Sequence, residues 1–340
     1  MRDLLVAGGG PVGLAVALHA RRAGLDVAVW EPRERPVDKA CGEGLMPAAL
    51  VELGRLGIEP EGHPLDGIRY LGGGREATAP FSHGPGRGVR RTELQRAMTQ
   101  AVHDEGVPVE RRAVDVVEQR DDHVRVDGVA TRYLVAADGL HSPVRRSVGL
   151  DRPASGRRRY GQRLHVTTAP WSSYVEVHWS AGAEAYVTPV APDLVGVAVL
   201  TEHRRSFEDV LAEFPELVER LGRADRSRVR GAGPLRQQSH RRTTGRVLLV
   251  GDAAGYVDAL TGEGIALGLA QARAAVEAVR ADSPASYERS WRRLGRRHVA
   301  LTKALLMASR QPVVRAHLVP TAARFPVVFR AAVDQLARPA

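Results

Sequence analysis

The sequence predicts a mixed α/β protein in which a parallel-sheet domain is interrupted by an antiparallel-sheet domain and followed by C-terminal helices. Three observations predict this fold class. A buried strand, a glycine-rich turn, a helix and a second buried strand follow one another at the N-terminus, and the strand and glycine turn return at residues 246–255. Between residues 159 and 202, apolar and polar residues alternate with a period of two. A chain that leaves a parallel sheet and later returns to it encloses an inserted domain.

The elements of the first domain follow from apolar runs that end at glycine. DLLVAG (3–8) and DVAVWE (26–31) predict strands, and VGLAVALHARRAG between them predicts a helix. A second helix begins at Pro47 and ends near Gly54 or Gly57, and a third over RRTELQRAMTQAVHDEG ends at Gly106. The pair Asp127 and Gly128 predicts a hairpin turn between two later strands.

The second half of the chain predicts the inserted domain and the return. SFEDVLAEFPELVERLG predicts one amphipathic helix with Ser206 as its N-cap, and GIALGLAQARAAVEAVR predicts a helix after the second glycine turn. From Tyr287 onward we expect helices that the prolines at 312, 320 and 326 break into short pieces. The predicted domains are residues 1–65, 88–158 and 240–285 for the cofactor, residues 66–87 and 159–239 for the substrate, and a helical segment 286–340.

Composition excludes several classes of protein. The single cysteine of the 340 residues rules out an intrachain disulfide framework and any cysteine-based metal cluster, so we expect no metal and a cytoplasmic location. No secretion signal or membrane-spanning segment is predicted. The net charge is +10, but the basic residues are mostly arginines dispersed along the chain, so we expect an anionic cofactor and no nucleic acid.

The glycines of the first turn carry a nucleotide-binding pattern. Gly8, Gly10 and Gly13 stand at the spacing GxGxxG between a strand and a helix, and Glu31 ends the next strand. Glycine lets the backbone approach a pyrophosphate, the helix N-terminus supplies amides, and the acidic residue receives ribose hydroxyls. The pattern predicts a Rossmann-like domain and leaves NAD and FAD open. Its candidate cofactor-binding residues are Gly8, Gly10, Pro11, Val12, Gly13, Glu31, Pro32 and Arg33.

Two later motifs resemble those of the flavoprotein hydroxylase superfamily, whose type member is p-hydroxybenzoate hydroxylase. AADGLHSPVRR (136–146) resembles its Asp-Gly motif, and RVLLVGDAAGYVDALTGEGI (246–265) resembles its Gly-Asp motif, in which Asp252 accepts a ribityl hydroxyl. Arg91 and Gln95 match the helix that touches phosphate and ribityl groups in that superfamily. The resemblance implies FAD as cofactor and NAD(P)H as reductant. It adds the residues Arg91, Gln95, Ala137, Asp138, Gly139, Gly251 and Asp252.

Two Gly-Glu-Gly triplets, at 42–44 and 262–264, resemble the geranylgeranyl reductase family within that superfamily. The family reads Asp-Pro-x-Thr-Gly-Glu-Gly, and Ala259 replaces the proline here; Thr188 and Val190 replace aromatic residues of its substrate motif. The resemblance implies that the first triplet passes close to the flavin ring and that the helix from Gly264 points at its pyrimidine edge. Cys41 and Glu43 are the catalytic candidates. Further cofactor-binding candidates are Lys39, Cys41, Gly42, Gly262, Glu263, Gly264 and Ile265.

Because the substrate motif of the reductases is missing, the sequence favours a monooxygenase of secondary metabolism. It would use O2, through a flavin C4a-hydroperoxide, to hydroxylate or epoxidise a bulky apolar or aromatic molecule such as a polyketide. One alternative is a geranylgeranyl-reductase-like ene-reductase of an isoprenoid or other alkene. A second alternative is a non-catalytic flavoprotein that serves as a maturation or electron-transfer partner.

Two further questions stay open in the sequence. His141, His165 and His178 are candidates for acid or base catalysis, or else surface or core histidines. The C-terminal helices either close the substrate pocket or form a basic amphipathic surface for peripheral, not integral, membrane contact. The oligomeric state is not determined by the sequence.

Overall fold

A computed structural model describes residues 1–338 and contains ten α-helices and twenty strands in that range. The helices are α1 (Pro11–Arg22), α2 (Pro47–Arg55), α3 (Arg91–Asp104), α4 (Pro143–Ser147), α5 (Phe207–Leu211), α6 (Pro215–Leu221), α7 (Gly264–Arg280), α8 (Pro284–Ser309), α9 (Pro312–Arg324) and α10 (Pro326–Ala337). The strands are β1 (Arg2–Ala7), β2 (Val27–Trp30), β3 (Gly44–Leu45), β4 (His63–Leu65), β5 (Gly67–Gly72), β6 (Arg75–Pro80), β7 (Gly86–Gly88), β8 (Val109–Glu110), β9 (Val117–Gln119), β10 (Val124–Val126), β11 (Val129–Ala136), β12 (Asp151–Arg152), β13 (Tyr160–Thr167), β14 (Tyr174–Trp179), β15 (Ala183–Ala191), β16 (Leu194–Thr201), β17 (Arg230–Ala232), β18 (Gln238–Ser239), β19 (Thr243–Thr244) and β20 (Val247–Leu249).

The first sheet has β1 at its centre and confirms the predicted fold class. Its order is β19-β20-β11-β1-β2-β8, and β1 pairs in parallel with both β11 and β2. β20 adds to β11 in parallel, although about 110 residues separate the two in sequence, so the chain does return to this sheet. β10 and β11 form an antiparallel hairpin that turns at Asp127 and Gly128, as predicted. β9 pairs with the other side of β10, also antiparallel.

Side chains alternate across this sheet and create two cores. Leu4 and Val6 of β1 face a core that α1, α3 and α7 cover, whereas Leu5 and Ala7 face the opposite core. Because successive side chains of a strand point to opposite faces and both faces are covered here, the run LLVA (4–7) is apolar throughout. The carboxyl ends of β1, β2, β11 and β20 therefore meet at one edge of a rigid layer, where a glycine-rich loop can be held in place.

The second sheet has seven strands in the order β17-β13-β16-β15-β14-β5-β6. All its pairs are antiparallel except β14 with β5, which lets the segment 67–80 join strands that begin at residue 160. α5 and α6 cover one face, and α9 and α10 pack on β5 and β6. These strand memberships support the predicted domain boundaries, which stay a prediction. β3, β7 and β4 form a small sheet between the two larger ones.

Two predictions about helices were wrong, and both concern the effect of a proline. The segment 206–222 is not one helix: α5 ends at Leu211 and α6 starts at Pro215, because proline has no amide hydrogen to donate inside a helix. Ser206 does cap α5, as predicted. Pro320 lies inside α9 without ending it, and α8 runs for 26 residues before the first break. Within residues 1–338, no helix combines the length and apolar character needed to cross a bilayer.

Candidate cofactor and active site

The glycine loop between β1 and α1 is so tightly held that two of its glycines admit no side chain. Gly8 has φ +104°, its amide donates to the Trp30 carbonyl at 2.7 Å, and a Cβ there would lie 2.5 Å from the Ala137 carbonyl oxygen. A Cβ on Gly13 would lie 1.9 Å from the Gly8 carbonyl oxygen. Gly10, before the first residue Pro11 of α1, offers no side chain to cap the helix. The first amides of α1 are therefore left for an anion.

Glu31, at the end of β2, holds the glycine loop in place through a hydrogen bond to its backbone. Its Oε2 accepts the Gly9 amide at 2.8 Å, and Arg33 grips both carboxylate oxygens at 2.7 and 2.8 Å. Burial acts to raise the pKa of Glu31, but the hydrogen bonds from Arg33 and Gly9 outweigh it and hold the pKa below its ordinary value. Glu31 thus lies where the sequence places the acidic residue, and its charge is balanced by Arg33.

Arg91 and Gln95 of α3 lie on the other side of the glycine loop and have different tasks. The Gln95 amide donates to the Gly9 carbonyl at 2.8 Å and accepts from the Val37 amide, so Gln95 supports the loop and does not face the cleft. Arg91 is buried, its Nη1 has no hydrogen-bond partner within residues 1–338, and its Nη2 would lie 3.7 Å from a Cβ on Gly10. A buried, unpartnered guanidinium beside free helix amides fits a diphosphate group.

Asp252 stands opposite Arg91, after β20, and its carboxylate receives no hydrogen bond from any described residue. Burial raises the pKa of Asp252, and the positive charges of Lys39 and Arg91 oppose that rise. Burial and the charge of Arg33 lower the pKa of Lys39. An acceptor of this kind fits a sugar or ribityl hydroxyl, as predicted for Asp252.

The Asp-Gly motif lies at the end of β11 beside the same edge. Asp138 accepts the Val144 amide at 3.0 Å and so caps α4, while its other oxygen is buried without a partner. Ala137 and Gly139 flank it, and the Lys39 ammonium would lie 3.1 Å from a Cβ on Gly139. Gly251 has φ +58° and donates its amide to Gln271 at 2.9 Å, which fixes the start of the second glycine turn.

The second Gly-Glu-Gly triplet forms the N-terminus of α7. Gly262 has φ +69°, Glu263 is the N-cap without a capping side chain, and Gly264 and Ile265 begin the helix. The carboxylate of Glu263 turns to His298 at 2.6 Å instead. The first amides of α7 are therefore free, and the positive end of its dipole is directed at whatever lies before it.

The first triplet centres on Glu43, a buried carboxylate that joins three elements. Its backbone has φ +59°, which is uncommon for a residue other than glycine. One oxygen accepts the first amide of α3, from Arg91, at 2.9 Å. The other oxygen bonds the Nε2 of His165 on β13 at 2.8 Å, and a Cβ on Gly196 would lie 2.9 Å from it.

The bonds of His165 determine its tautomer. The Nδ1 lies 3.3 Å from a guanidinium nitrogen of Arg163, which can only donate, so Nδ1 is the acceptor and Nε2 carries the proton given to Glu43. Arg163 also binds Asp38 and the Lys39 carbonyl, and the Thr188 hydroxyl donates to the Gly42 carbonyl at 2.8 Å. The whole loop 38–43 is thereby fastened to the second sheet.

Cys41 lies in this loop as a thiol. Its Sγ accepts the Glu43 amide at 3.4 Å. Burial raises the pKa of the Cys41 thiol above its ordinary value; the nearby charge of Arg91 works against that rise and the charge of Glu43 adds to it. Cys41 is half-buried, so part of its surface remains accessible to solvent. At neutral pH the thiol carries its proton.

The other two histidines lie outside this cluster. His141 contacts the Gly233 carbonyl at 3.3 Å, and His178 lies 3.4 Å from Glu176. Sequence reasoning missed Arg163, Thr188 and Asp38. Arg163 and His165 lie two residues apart on β13, so their side chains share one face of the sheet, and this spacing could have been read from the sequence. Only the fold brings Glu43 to that face.

A cleft of about 250 Å³ lies beside Asp252 and the start of α7. Tyr256, His298 and Trp291 line it, together with the basic side chains of Arg152, Arg236 and Lys303. Within residues 1–338 these three cations form no ion pair with a carboxylate. Burial raises the pKa of Tyr256 well above its ordinary value, and the charges of Asp252 and Asp258 add to that effect.

Comparison with known proteins supports the same cofactor. A family model described as "FAD binding domain" matches residues 1–281. Menaquinone reductase of Mycolicibacterium smegmatis is 30% identical over 339 aligned positions, which cover 88% of this chain and 81% of that protein. 3-Amino-4-hydroxybenzoate 2-monooxygenase of Streptomyces cremeus is 31% identical over 292 aligned positions, covering 74% of this chain and 73% of that protein.

Among solved structures, a flavoprotein/dehydrogenase from Cytophaga hutchinsonii superposes with a TM-score of 0.83 at 17% identity. The match covers 98% of this chain and 92% of that one. At this identity the likeness establishes the fold of the chain and not its reaction.

We predict that Glu43→Gln weakens both folding and FAD binding. An amide has one acceptor, so it can receive the Arg91 amide but meets the Nε2 proton of His165 with a donor of its own. A buried group left unsatisfied costs about 1–3 kcal/mol, so we expect the free energy of unfolding to fall by that amount and the Kd of FAD to rise at least about fivefold. Urea unfolding and fluorescence titration with FAD measure the two effects.

The control for this prediction is Glu277→Gln, which removes an exposed carboxylate from α7. We expect it to change stability by less than about 0.5 kcal/mol. If Glu43→Gln changes the free energy of unfolding and the Kd of FAD no more than this control does, the contacts of Glu43 do not stabilise the fold or the FAD site.

We predict that the alkylation of Cys41 by iodoacetamide has a raised pH midpoint in the folded protein. Because the thiolate reacts and the pKa is raised, the rate should rise at higher pH in the folded chain than in urea. The same shift stabilises the fold below the ordinary thiol pKa and is lost as pH rises through the folded value. Mass spectrometry follows the single adduct, and identical midpoints in the two states would contradict the prediction.

Proposed function

This chain belongs to the FAD binding domain family, and we propose that it is a flavin-dependent reductase that saturates a carbon–carbon double bond of an isoprenoid or other lipophilic alkene. At the coarser level it is an FAD-dependent oxidoreductase, as its relatives are. The sequence alone favoured a monooxygenase because the substrate motif of the reductases is missing. The position of a thiol, Cys41, beside the first Gly-Glu-Gly loop favours the reductase.

The observation that carries this proposal is the position of the Cys41 thiol, half-buried beside Glu43 in the loop between the two sheets. Reduction of an alkene adds a hydride to one carbon and a proton to the other, and reduced FAD supplies the hydride when it is bound. The proton must come from an acid that still holds it at neutral pH. Cys41 meets this condition, because burial raises the pKa of its thiol. The thiol lies near Arg91 and Glu43 on one side and near Tyr256 on the other. Solvent then returns a proton to the thiolate.

The relatives support the same direction. The relative named menaquinone reductase covers 88% of this chain and is by its name a reductase. One Gly-Glu-Gly loop is joined to α3 through Glu43 and the other begins α7, and this arrangement supports the flavin contacts that we propose for both loops. Thr188 and Val190, where the sequence departs from that family, lie buried on β15.

A second candidate is the monooxygenase that the sequence favoured. The relative from Streptomyces cremeus supports it, since that protein is named for hydroxylation of an aromatic acid. Such an enzyme commonly needs a base to ionise its phenol. His165 is the histidine of this site, but both its ring nitrogens are engaged, by Glu43 and Arg163. The named relatives are reductases and monooxygenases, which gives the non-catalytic alternative no support.

The reductant that we propose is NAD(P)H, and the cleft beside Asp252 suits its phosphates. Arg152, Arg236 and Lys303 offer three positive charges that no carboxylate among residues 1–338 neutralises. Trp291, with the Arg242 guanidinium 3.7 Å above its ring, provides an aromatic wall for a nucleotide. Hydride from such a site would enter the cofactor from the side of α7.

We predict that purified protein loaded with FAD converts an alkene without O2. Incubated anaerobically with NADPH and menaquinone and then opened to air, so that any quinol returns to the quinone, it should give a product that stays about 2 Da heavier by mass spectrometry, because a hydride and a proton are added to a carbon–carbon double bond. Cys41→Ala should lower this turnover about 100-fold while NADPH still reduces the flavin at the rate of the unchanged protein.

Two outcomes contradict the reductase. A product about 16 Da heavier that forms only with O2 would establish the monooxygenase. Full turnover by Cys41→Ala, at unchanged FAD content, would remove the thiol from the reaction.

We predict that Arg236→Gln raises the KM for NADPH about tenfold and leaves the limiting rate of flavin reduction unchanged. One charge-assisted hydrogen bond to a phosphate accounts for a change of that size. Stopped-flow absorbance of the flavin measures both constants. Arg241→Gln is the matched control, because this exposed arginine lies five residues further on and lines a different groove. Equal effects of the two variants would argue against docking in the cleft.

A further inference from the structure

The helix α10 is apolar on both sides, although only one side is covered. Its inner residues Phe329 and Val333 are buried against the second sheet, and the Phe329 ring lies 4.7 Å from the ring of Tyr70. On the outer side, Val327 is 79% exposed and Val328 is 67% exposed. A surface helix normally carries polar residues on its outer face. The outer face of α10 therefore lacks a partner within residues 1–338.

We call the outer face of α10 together with the preceding Phe325 the α10 face. Its members follow the helical spacing of i, i+1, i+4 and i+5, so they project in one direction. All five residues are exposed: Phe325, Val327, Val328, Ala331 and Ala332. The exposed Gln335 lies one turn beyond Ala331 and is the polar end of this face. Six of the twelve exposed large hydrophobic residues of the described chain lie between residues 307 and 328, which marks this region as the most apolar part of the surface.

The charges around the α10 face are positive. Arg324 and Arg330 are exposed beside it, and the Arg324 guanidinium lies 5.9 Å from the centre of the Phe325 ring. The one acidic residue between 303 and 338 is Asp334, which is bound to the hydroxyl and amide of Ser82 on the sheet side. Those hydrogen bonds leave Asp334 charged, so the segment 324–338 has three exposed arginines, Arg324, Arg330 and Arg338, against one carboxylate and carries a net charge of +2. The partner must therefore combine an apolar layer with anionic groups.

We infer that the α10 face docks on an anionic lipid bilayer, with its valines and Phe325 in the acyl boundary and its arginines at the headgroups. A helix of 12 residues presents a face about 18 Å long and about 10 Å wide. That is far below the roughly 800 Å² per partner of a stable protein interface. Shallow insertion assisted by arginines requires no such area. The inference goes beyond the proposed function and holds for a reductase or a monooxygenase.

Vesicle flotation tests the inference. FAD-loaded protein is mixed with vesicles of phosphatidylcholine alone or with about one third phosphatidylglycerol. We expect binding to the anionic vesicles that is at least about tenfold stronger than to the neutral ones and that falls when salt is raised. The double variant Val327→Ser with Val328→Ser should lose at least about tenfold of the binding to anionic vesicles.

The control is the double variant Val116→Ser with Val129→Ser, which changes two exposed valines of the first domain. It should bind vesicles within twofold of the unchanged protein. Thermal melting and FAD absorbance confirm that each variant is folded. Arg324→Gln with Arg330→Gln should weaken binding to anionic vesicles and leave the weak binding to neutral vesicles unchanged.

Three results would overturn the inference. The unchanged protein could fail to bind anionic vesicles, or the Val327 and Val328 variant could bind them as well as the control does. Light scattering could instead show a dimer that this variant converts to a monomer, which would make a second copy of the chain the occupant. None of these results depends on turnover, so failure of the proposed function would be seen separately in the anaerobic assay.

Discussion

The shared carboxylate of Glu43 is the interaction on which the arrangement of the site depends. One oxygen takes the first amide of α3, and the other takes the proton of His165 on the second sheet. α3 carries Gln95, which holds the glycine loop through the Gly9 carbonyl, so the position of that loop is linked through α3 to Glu43. A single buried charge thus sets the distance between the nucleotide loop and the substrate sheet. The two donors bond different oxygens of Glu43, so an amide in the same orientation would turn its NH2 group toward one of them, and this favours a carboxylate.

A second junction joins the other Gly-Glu-Gly loop to the same sheet. Arg159 binds Asp258 of that loop at 3.1 Å and also binds Glu184 of β15, and Arg315 of α9 reaches Glu184 at 2.7 Å. The Tyr186 hydroxyl donates to the Leu260 carbonyl at 3.2 Å. Each loop of the cofactor edge is therefore tied to the second sheet by buried, mutually satisfied charges. Such pairs favour one geometry strongly, because separating them leaves an unpaired charge in the interior.

The distribution of charge divides the protein into three regions. The cofactor edge holds two cations, the buried Arg91 and the exposed Lys39, among free helix amides, which suits a diphosphate. The loops before the second sheet hold acids that keep their protons, Cys41 and Tyr256, which suits proton delivery to a reduced carbon. The C-terminal surface combines apolar side chains with exposed arginines. A lipophilic substrate that resides in a membrane would use all three regions.

The sequence by itself determined the nucleotide fold, because each motif acts through its own backbone: Gly8 needs a positive φ, Gly13 a close approach, and Pro11 starts a helix. The same local physics ended α2 near Gly57 and formed the hairpin at Asp127, but local patterns misread Pro215 and Pro320, whose effect depends on whether packing outweighs a lost hydrogen bond. Only the tertiary structure decided what Glu43 and His165 do. They are 122 residues apart, and neither a period nor a spacing reports a contact between two sheets. The same holds for Gln95, whose hydrogen bonds to Gly9 and Val37 come from the fold, while its contact with the cofactor stays a prediction. The backbone conformation that a turn or helix start requires depends on neighbouring residues in the sequence. The pairing of buried charges depends on segments that come together only in the folded chain.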